Sequence, residues 1–261
     1  MEKNKKEKLS NEQIRLLWWL HESEQLEEKL SREEVDQINH YVREYGGGNM
    51  WEIYYDEDME LTNMELIKVY KDRIFEELSK DKKSFELYDK IQKGFKKGNI
   101  IENEVFQKTY KRFYRLGRNF GDKLSERYFE LLQEKEKDIE KVLIELAKIP
   151  GSNNKFSVWL SFASKLIHTV DNNQPIYDSM VAEALCIRVK YIKDIDKRIK
   201  DRLEIYDFLK QRVREILNDQ EIAMIVKDFK ERLELNISDV KMLDFMLWKL
   251  GGIVKNETRK K

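Results

Sequence analysis

Proline is nearly missing from this chain: there are two in 261 residues, alongside ten glycines. So few helix breakers argue against a loop-rich or all-β architecture and point to helices nearly throughout. Cysteine is scarcer still. The lone Cys186, set in an apolar run, excludes a disulfide framework and a cysteine-ligated zinc site, and it fits a reducing, cytoplasmic setting. Neither sign of charge is in excess, since Lys+Arg and Asp+Glu number 50 each. Bulk charge therefore makes no case for a nucleic-acid or membrane partner, and any polyanion site has to be a local patch. No window reaches the apolar length that crosses a bilayer, so no membrane association is expected. The opening "MEKNKKEKLS" is charged with no apolar core behind it, unlike a signal peptide. His21, His40 and His168 are scattered, and neither a metal nor a cofactor is expected.

What is present is a mixture of apolar residues (41%) and charged residues (38%) in helical periodicity. Ser10 and Ser31 stand as N-caps before "NEQIRLLWWLHESEQLEEKL" and "REEVDQINHYVREY", and Gly46 to Gly48 end the second of these helices. Further helices are expected over 63–79, 84–97, 103–118, 122–135, 137–148 and 155–170. Another starts at Asp178 or Ser179, and two or three more run to about Leu250. The last has Ser238 as N-cap and Gly251 as its stop. A short extended piece is expected within 49–61. The fold class is all-α, a multi-helix bundle, with an N-terminal helical segment at 1–48 and a helical domain at 49–255.

Both prolines fall around one apolar segment. "KIPGSNNK" precedes "FSVWLSFASKLIHTV", and "PIYDSMV" follows it. Pro150 cannot continue the preceding helix comfortably, and Gly151 takes a left-handed backbone without steric cost, so the chain reverses there. Such a reversal turns backbone N–H groups outward at the start of the next helix, where an anion such as a DNA phosphate is favoured. An ordinary helical hairpin has the same signature. Pro175 holds Ile176 and Tyr177 extended, which puts Asp178 where an N-cap belongs.

These segments resemble the helix–hairpin–helix DNA glycosylase superfamily, closest to its bacterial 8-oxoguanine-glycosylase-like members. "IPGSNNK" stands where the family has its "LPGVGxK" hairpin, and "PIYDSMV" aligns without a gap to "PILDGNV", which carries the catalytic aspartate. The second hairpin glycine is Asn153 here, and the four cysteines of the iron–sulfur members are absent. The resemblance covers about 137–190. It implies a helix–hairpin–helix motif centred there and a DNA-binding protein that cleaves the N-glycosidic bond of a damaged or modified base. Gly151, Asn153 and Asn154 would contact DNA, and Asp178 would be the catalytic carboxylate. Lys155, at the hairpin lysine's place, or Lys165, nearer to Asp178 in sequence, would be the Schiff-base nucleophile.

That chemistry has stated requirements. A carboxylate near C1′ stabilises an oxocarbenium-like sugar, and a lysine attacks only if partial burial lowers its pKa. A flipped base is held by stacking, for which Trp159 and Tyr177 are the candidates, although Phe156, Trp159 and Phe162 at i, i+3 and i+6 also suit core packing. "FQKTYKRFYRLGR" places Lys108, Lys111, Arg112, Arg115 and Arg118 at helical spacing with no acid among them. Such a ridge suits phosphate contact, and it equally suits a solvated face salt-bridged to acidic neighbours. The alternative to an enzyme is a catalytically silent helical module, binding DNA or protein on the same scaffold.

Overall fold

The chain divides into Met1–Thr62 and Asn63–Lys261. The computed structural model describes residues 64–117, 120–152, 154–190 and 192–258, all in the second unit. The expected helices before residue 63 and the extended piece at 49–61 lie outside the described residues, as do Asn153 and Arg118. Among the described residues the fold is helical without strands, and no helix is long and apolar enough to cross a membrane.

After a helical turn at 64–69 come α1 (Lys71–Ser79), α2 (Lys82–Lys97), α3 (Glu104–Phe113), α4 (Asp122–Gln133) and α5 (Ile139–Ala147). They are followed by α6 (Leu160–Val170), α7 (Ser179–Ala184), α8 (Ile195–Asn218), α9 (Gln220–Arg232) and α10 (Asp239–Thr258). The outer helices are amphipathic. α2 buries Tyr88, Ile91 and Phe95 at three- and four-residue spacing, and Gly98 closes it with φ +76°. The side chains of Asn103, Asp138 and Asp194 cap α3, α5 and α8 by accepting bonds from free N–H groups in the first turn.

α6 is different, being buried nearly all round. Leu160, Ala163, Leu166 and Ile167 share its interior with Ser164, Lys165, His168 and Thr169. Each of those polar groups finds a partner. Thr169 donates to the Lys165 carbonyl at 2.8 Å, and Ser164 Oγ accepts the Tyr177 N–H at 3.0 Å. The hydroxyls of Tyr110, Tyr128 and Thr169 join in one network over this helix, with spacings of 2.9 and 3.0 Å. Buried polar groups are tolerated on these terms and not otherwise.

Three boundaries differ from the sequence expectation. The helix expected at 155–170 begins at Leu160, because the Lys155 carbonyl turns back to accept the Gly151 N–H at 3.0 Å instead of serving a first helical turn. The helix expected at 103–118 ends at Phe113: Arg115 adopts φ +49°, and the Leu116 N–H reaches back to the Lys111 carbonyl at 3.0 Å, a Schellman-type closure with arginine in glycine's usual place. The last helix does not stop at Gly251 but runs through it to Thr258. There the glycine serves close packing, since α10 lies against the backbone of α7 at Met180. Ser238 does cap this helix, accepting the Lys241 N–H at 3.1 Å.

Candidate active site

Asp178 is delivered to its place by a rigid approach. Pro175 and Ile176 are buried, the Pro175 carbonyl accepts the Tyr206 hydroxyl at 3.2 Å, and Tyr177 is held by its N–H on Ser164. The two carboxylate oxygens of Asp178 then do different things. Oδ1 caps α7 by accepting the Met180 N–H at 2.9 Å, and Oδ2 lies 3.5 Å from Lys165 Nζ. The cap role and the chemical role are thus compatible within one side chain.

Lys165 comes from the middle of α6, where its side chain is 7% exposed against 24% for that of Asp178. Its ammonium also donates to Ser161 Oγ at 2.9 Å. Burial pulls the Lys165 pKa below the usual lysine value, and the Asp178 charge opposes that shift. A buried amine with a single long carboxylate contact is poised to exist in its neutral, nucleophilic form.

Both groups line a pocket of about 290 Å³. That is near the lower end of small-molecule sites, roughly 300–1,000 Å³, and suits a group the size of one ring system. Its aromatic walls come from Phe113, Tyr114, Phe245 and Trp248, and its rim carries the exposed cations Lys83, Arg112 and Arg115. The Arg115 guanidinium stands 5.0 Å from the centre of the Trp248 ring. Opposite in charge, Asp81 at the rim is engaged by Lys249 at 2.8 Å.

Below the pocket, His168 is completely buried between the Tyr88 hydroxyl and the Gln174 carbonyl. A carbonyl only accepts, so Nδ1 carries the proton and donates to Gln174 at 2.6 Å, leaving Nε2 to accept from Tyr88 at 3.0 Å. Burial lowers the His168 pKa to about 3, with the nearby Lys241 charge acting in the same direction.

The other sequence candidates fall elsewhere. Lys155 is exposed and is not among the residues that line the pocket. It is also not at a helix start, so the dipole argument for it lapses. Gly151 is buried, and its N–H and that of Asn154 are spent within the turn, on the Lys155 and Gly151 carbonyls, at 3.0 and 2.9 Å. The five-cation ridge is broken up. Lys108 pairs with Glu104 at 2.8 Å, and Lys111 sits over the rings of Phe120 and Phe129. Arg112 and Arg115 reach the pocket rim. Trp159 stacks flat on Phe162, with ring centres 5.1 Å apart, and neither it nor Tyr177 lines the pocket.

Three pocket residues escaped the sequence reading: Lys241, Asp244 and Trp248, at i, i+3 and i+7 on α10. The available signal was a lysine and an aspartate within the apolar run "KMLDFMLW", where charges need a reason. No family model, curated protein or solved structure matches this chain.

Proposed function

We propose that this chain is a DNA-binding protein of the base-excision glycosylase type, built on a helix–hairpin–helix scaffold made by α5, the Pro150 turn and α6. It cleaves the N-glycosidic bond of a damaged or modified base with Lys165 and Asp178. The observation that carries this reading is the amine and carboxylate 3.5 Å apart in one pocket, drawn together from opposite sides of the Pro175 turn. Of the two lysines open at the sequence level, this favours Lys165.

In this mechanism the extruded nucleotide enters between the cationic rim and the aromatic walls. The neutral Lys165 amine attacks C1′, forming the N–C1′ bond as the C1′–base bond breaks. The base leaves with the bonding electron pair and takes up a proton. Asp178, ionised, lies where positive charge builds on the sugar and stabilises it. Ring opening of the adduct gives the imine, from which strand cleavage can follow.

The decisive experiment is a panel of modified bases in duplex DNA, scored for base release, nicking and borohydride-trapped adduct. Trapping with the wild type and with Lys155→Gln, but not with Lys165→Gln, is the expected result. Base release without any trapped adduct would leave a glycosylase that uses Asp178 with water. DNA binding with no release across the panel would leave a silent binding module.

A further inference from the structure

Lys165 shares its pocket with a second amine. Lys241 on α10 lines the same cavity, with its side chain only 3% exposed and its Nζ 2.6 Å from Asp244 Oδ2. Four aromatic rings surround that ammonium, with centres at 4.3 Å (Phe245), 4.8 Å (Tyr88), 5.5 Å (Phe113) and 5.9 Å (Tyr114). A desolvated cation gains from each such ring face, and the short carboxylate contact adds a charge-assisted hydrogen bond. Lys165 has a longer carboxylate contact and a neutral hydroxyl instead.

We propose that Lys241 is a positioning residue of this pocket: its ammonium, held by Asp244 and the aromatic cage, singles out Lys165 as the reactive amine. The inference rests on reading Lys165 as the nucleophile, but not on what Lys165 attacks. Two ammonium groups in one small cavity repel, and burial penalises both. The better-held cation keeps its charge more cheaply, so the repulsion is relieved by proton loss at Lys165.

The electrostatics run in that direction. Burial lowers the Lys165 amine first of all, the Lys241 charge adds to this, and Asp178 and Asp244 act against it. The Asp244 carboxyl is itself pushed up by burial, and Lys241 draws it back. Other groups face the pocket from α2 and from the end of α3. Asp81 is paired with Lys249, and Lys83, Arg112 and Arg115 are exposed at the rim. Burial raises the Tyr88 and Tyr114 hydroxyls, and His168, one turn along α6, is lowered to about 3, so these three are neutral near pH 7.

Reductive labelling of the intact chain tests this without DNA. A small aldehyde condenses with a neutral amine, releasing water, and cyanoborohydride delivers hydride to the imine, tagging the lysine for peptide mass spectrometry. In the wild type, Lys165 should be tagged at least about tenfold faster than Lys241; faster tagging of Lys241 overturns the proposal. Asp244→Asn leaves the Lys241 charge uncompensated, so the pH midpoint for tagging Lys165 should fall and its rate at pH 7 rise on the order of tenfold. Adding Lys241→Met should return the midpoint to the wild-type value. A midpoint that does not move in the single variant, or is not restored in the double, refutes the positioning role, and circular dichroism melts identify any variant that fails to fold. Should Asp244→Asn not fold, the wild-type preference still decides. A chain inactive on every DNA lesion but with this labelling pattern loses the glycosylase reading and keeps the order of the amines; active DNA cleavage with the opposite pattern removes only the role of Lys241.

Discussion

Gly251 lies so close to Met180 that a Cβ built on it would stand 2.0 Å from the Met180 carbonyl oxygen. The contact joins the middle of α10, which carries Lys241, Asp244 and Trp248, to the first turn of α7, which Asp178 caps. It therefore couples the two walls of the pocket through backbone that has no room to yield.

A methyl group at that position should force the helices apart. Gly251→Ala is expected to destabilise the protein by about 1–3 kcal/mol, the usual cost of overpacking, and to reduce any activity that depends on the Lys165–Asp178 spacing. At the neighbouring Gly252, a Cβ would meet nothing within 4 Å. Gly252→Ala should be neutral, or stabilising by up to about 1 kcal/mol through helix propensity. Paired thermal melts check this, and equal effects of the two changes would refute the close contact.

The two oxygens of Asp178 can be separated by mutation. Asp178→Asn keeps an oxygen for the Met180 N–H but loses the charge, so it should melt near the wild type and lose base release. Asp178→Ala loses both and should cost about 1 kcal/mol more, the typical value of an N-cap. Denaturant titration of the two variants measures the cap, and the lesion assay measures the charge.

Stability should fall in acid because of His168. Its pKa of about 3 in the folded chain lies below the value near 6.5 expected when unfolded, so the unfolded state binds the extra proton between those limits. The stability that this difference contributes is fully present above about pH 6.5 and is lost progressively as pH falls towards 3, with a slope approaching about 1.4 kcal/mol per pH unit. His168→Gln should flatten that part of the profile in urea titrations at stepped pH.

Phosphate binding should map to the pocket rim more than to the Pro150 turn. Every phosphate that a side chain no longer neutralises lowers the salt slope of DNA affinity by about 0.9, so Arg112→Ala with Arg115→Ala should lower it by roughly 2. Lys155→Ala should change it by less. Affinities measured from low to physiological salt give both slopes, and a larger change from Lys155→Ala would return the interface to the turn.

Much of the helical architecture was legible in advance, for a physical reason. Amphipathic spacing, caps such as Asn103, Asp138 and Ser238, and the rarity of proline are local properties, and they specify helices wherever the chain then packs. The Pro175 approach and the capping role of Asp178 were equally local. Boundaries failed where a distant or backbone-level contact won: Arg115 took a left-handed conformation, the Lys155 carbonyl was claimed by Gly151, and Gly251 was used for packing instead of termination.

The sequence alone determined an all-helical chain with an aspartate set rigidly at the start of a helix after a proline. Only tertiary packing decided which amine that aspartate would meet, because Lys155 and Lys165 are both compatible with the spacing and only Lys165 points from a buried helix into the same hollow. It also recruited Lys241, Asp244 and Trp248 from a helix more than sixty residues downstream of Asp178. Their nearness to Lys165 depends on α10 pressing against α7 at Gly251, a fit of shape that no local pattern encodes.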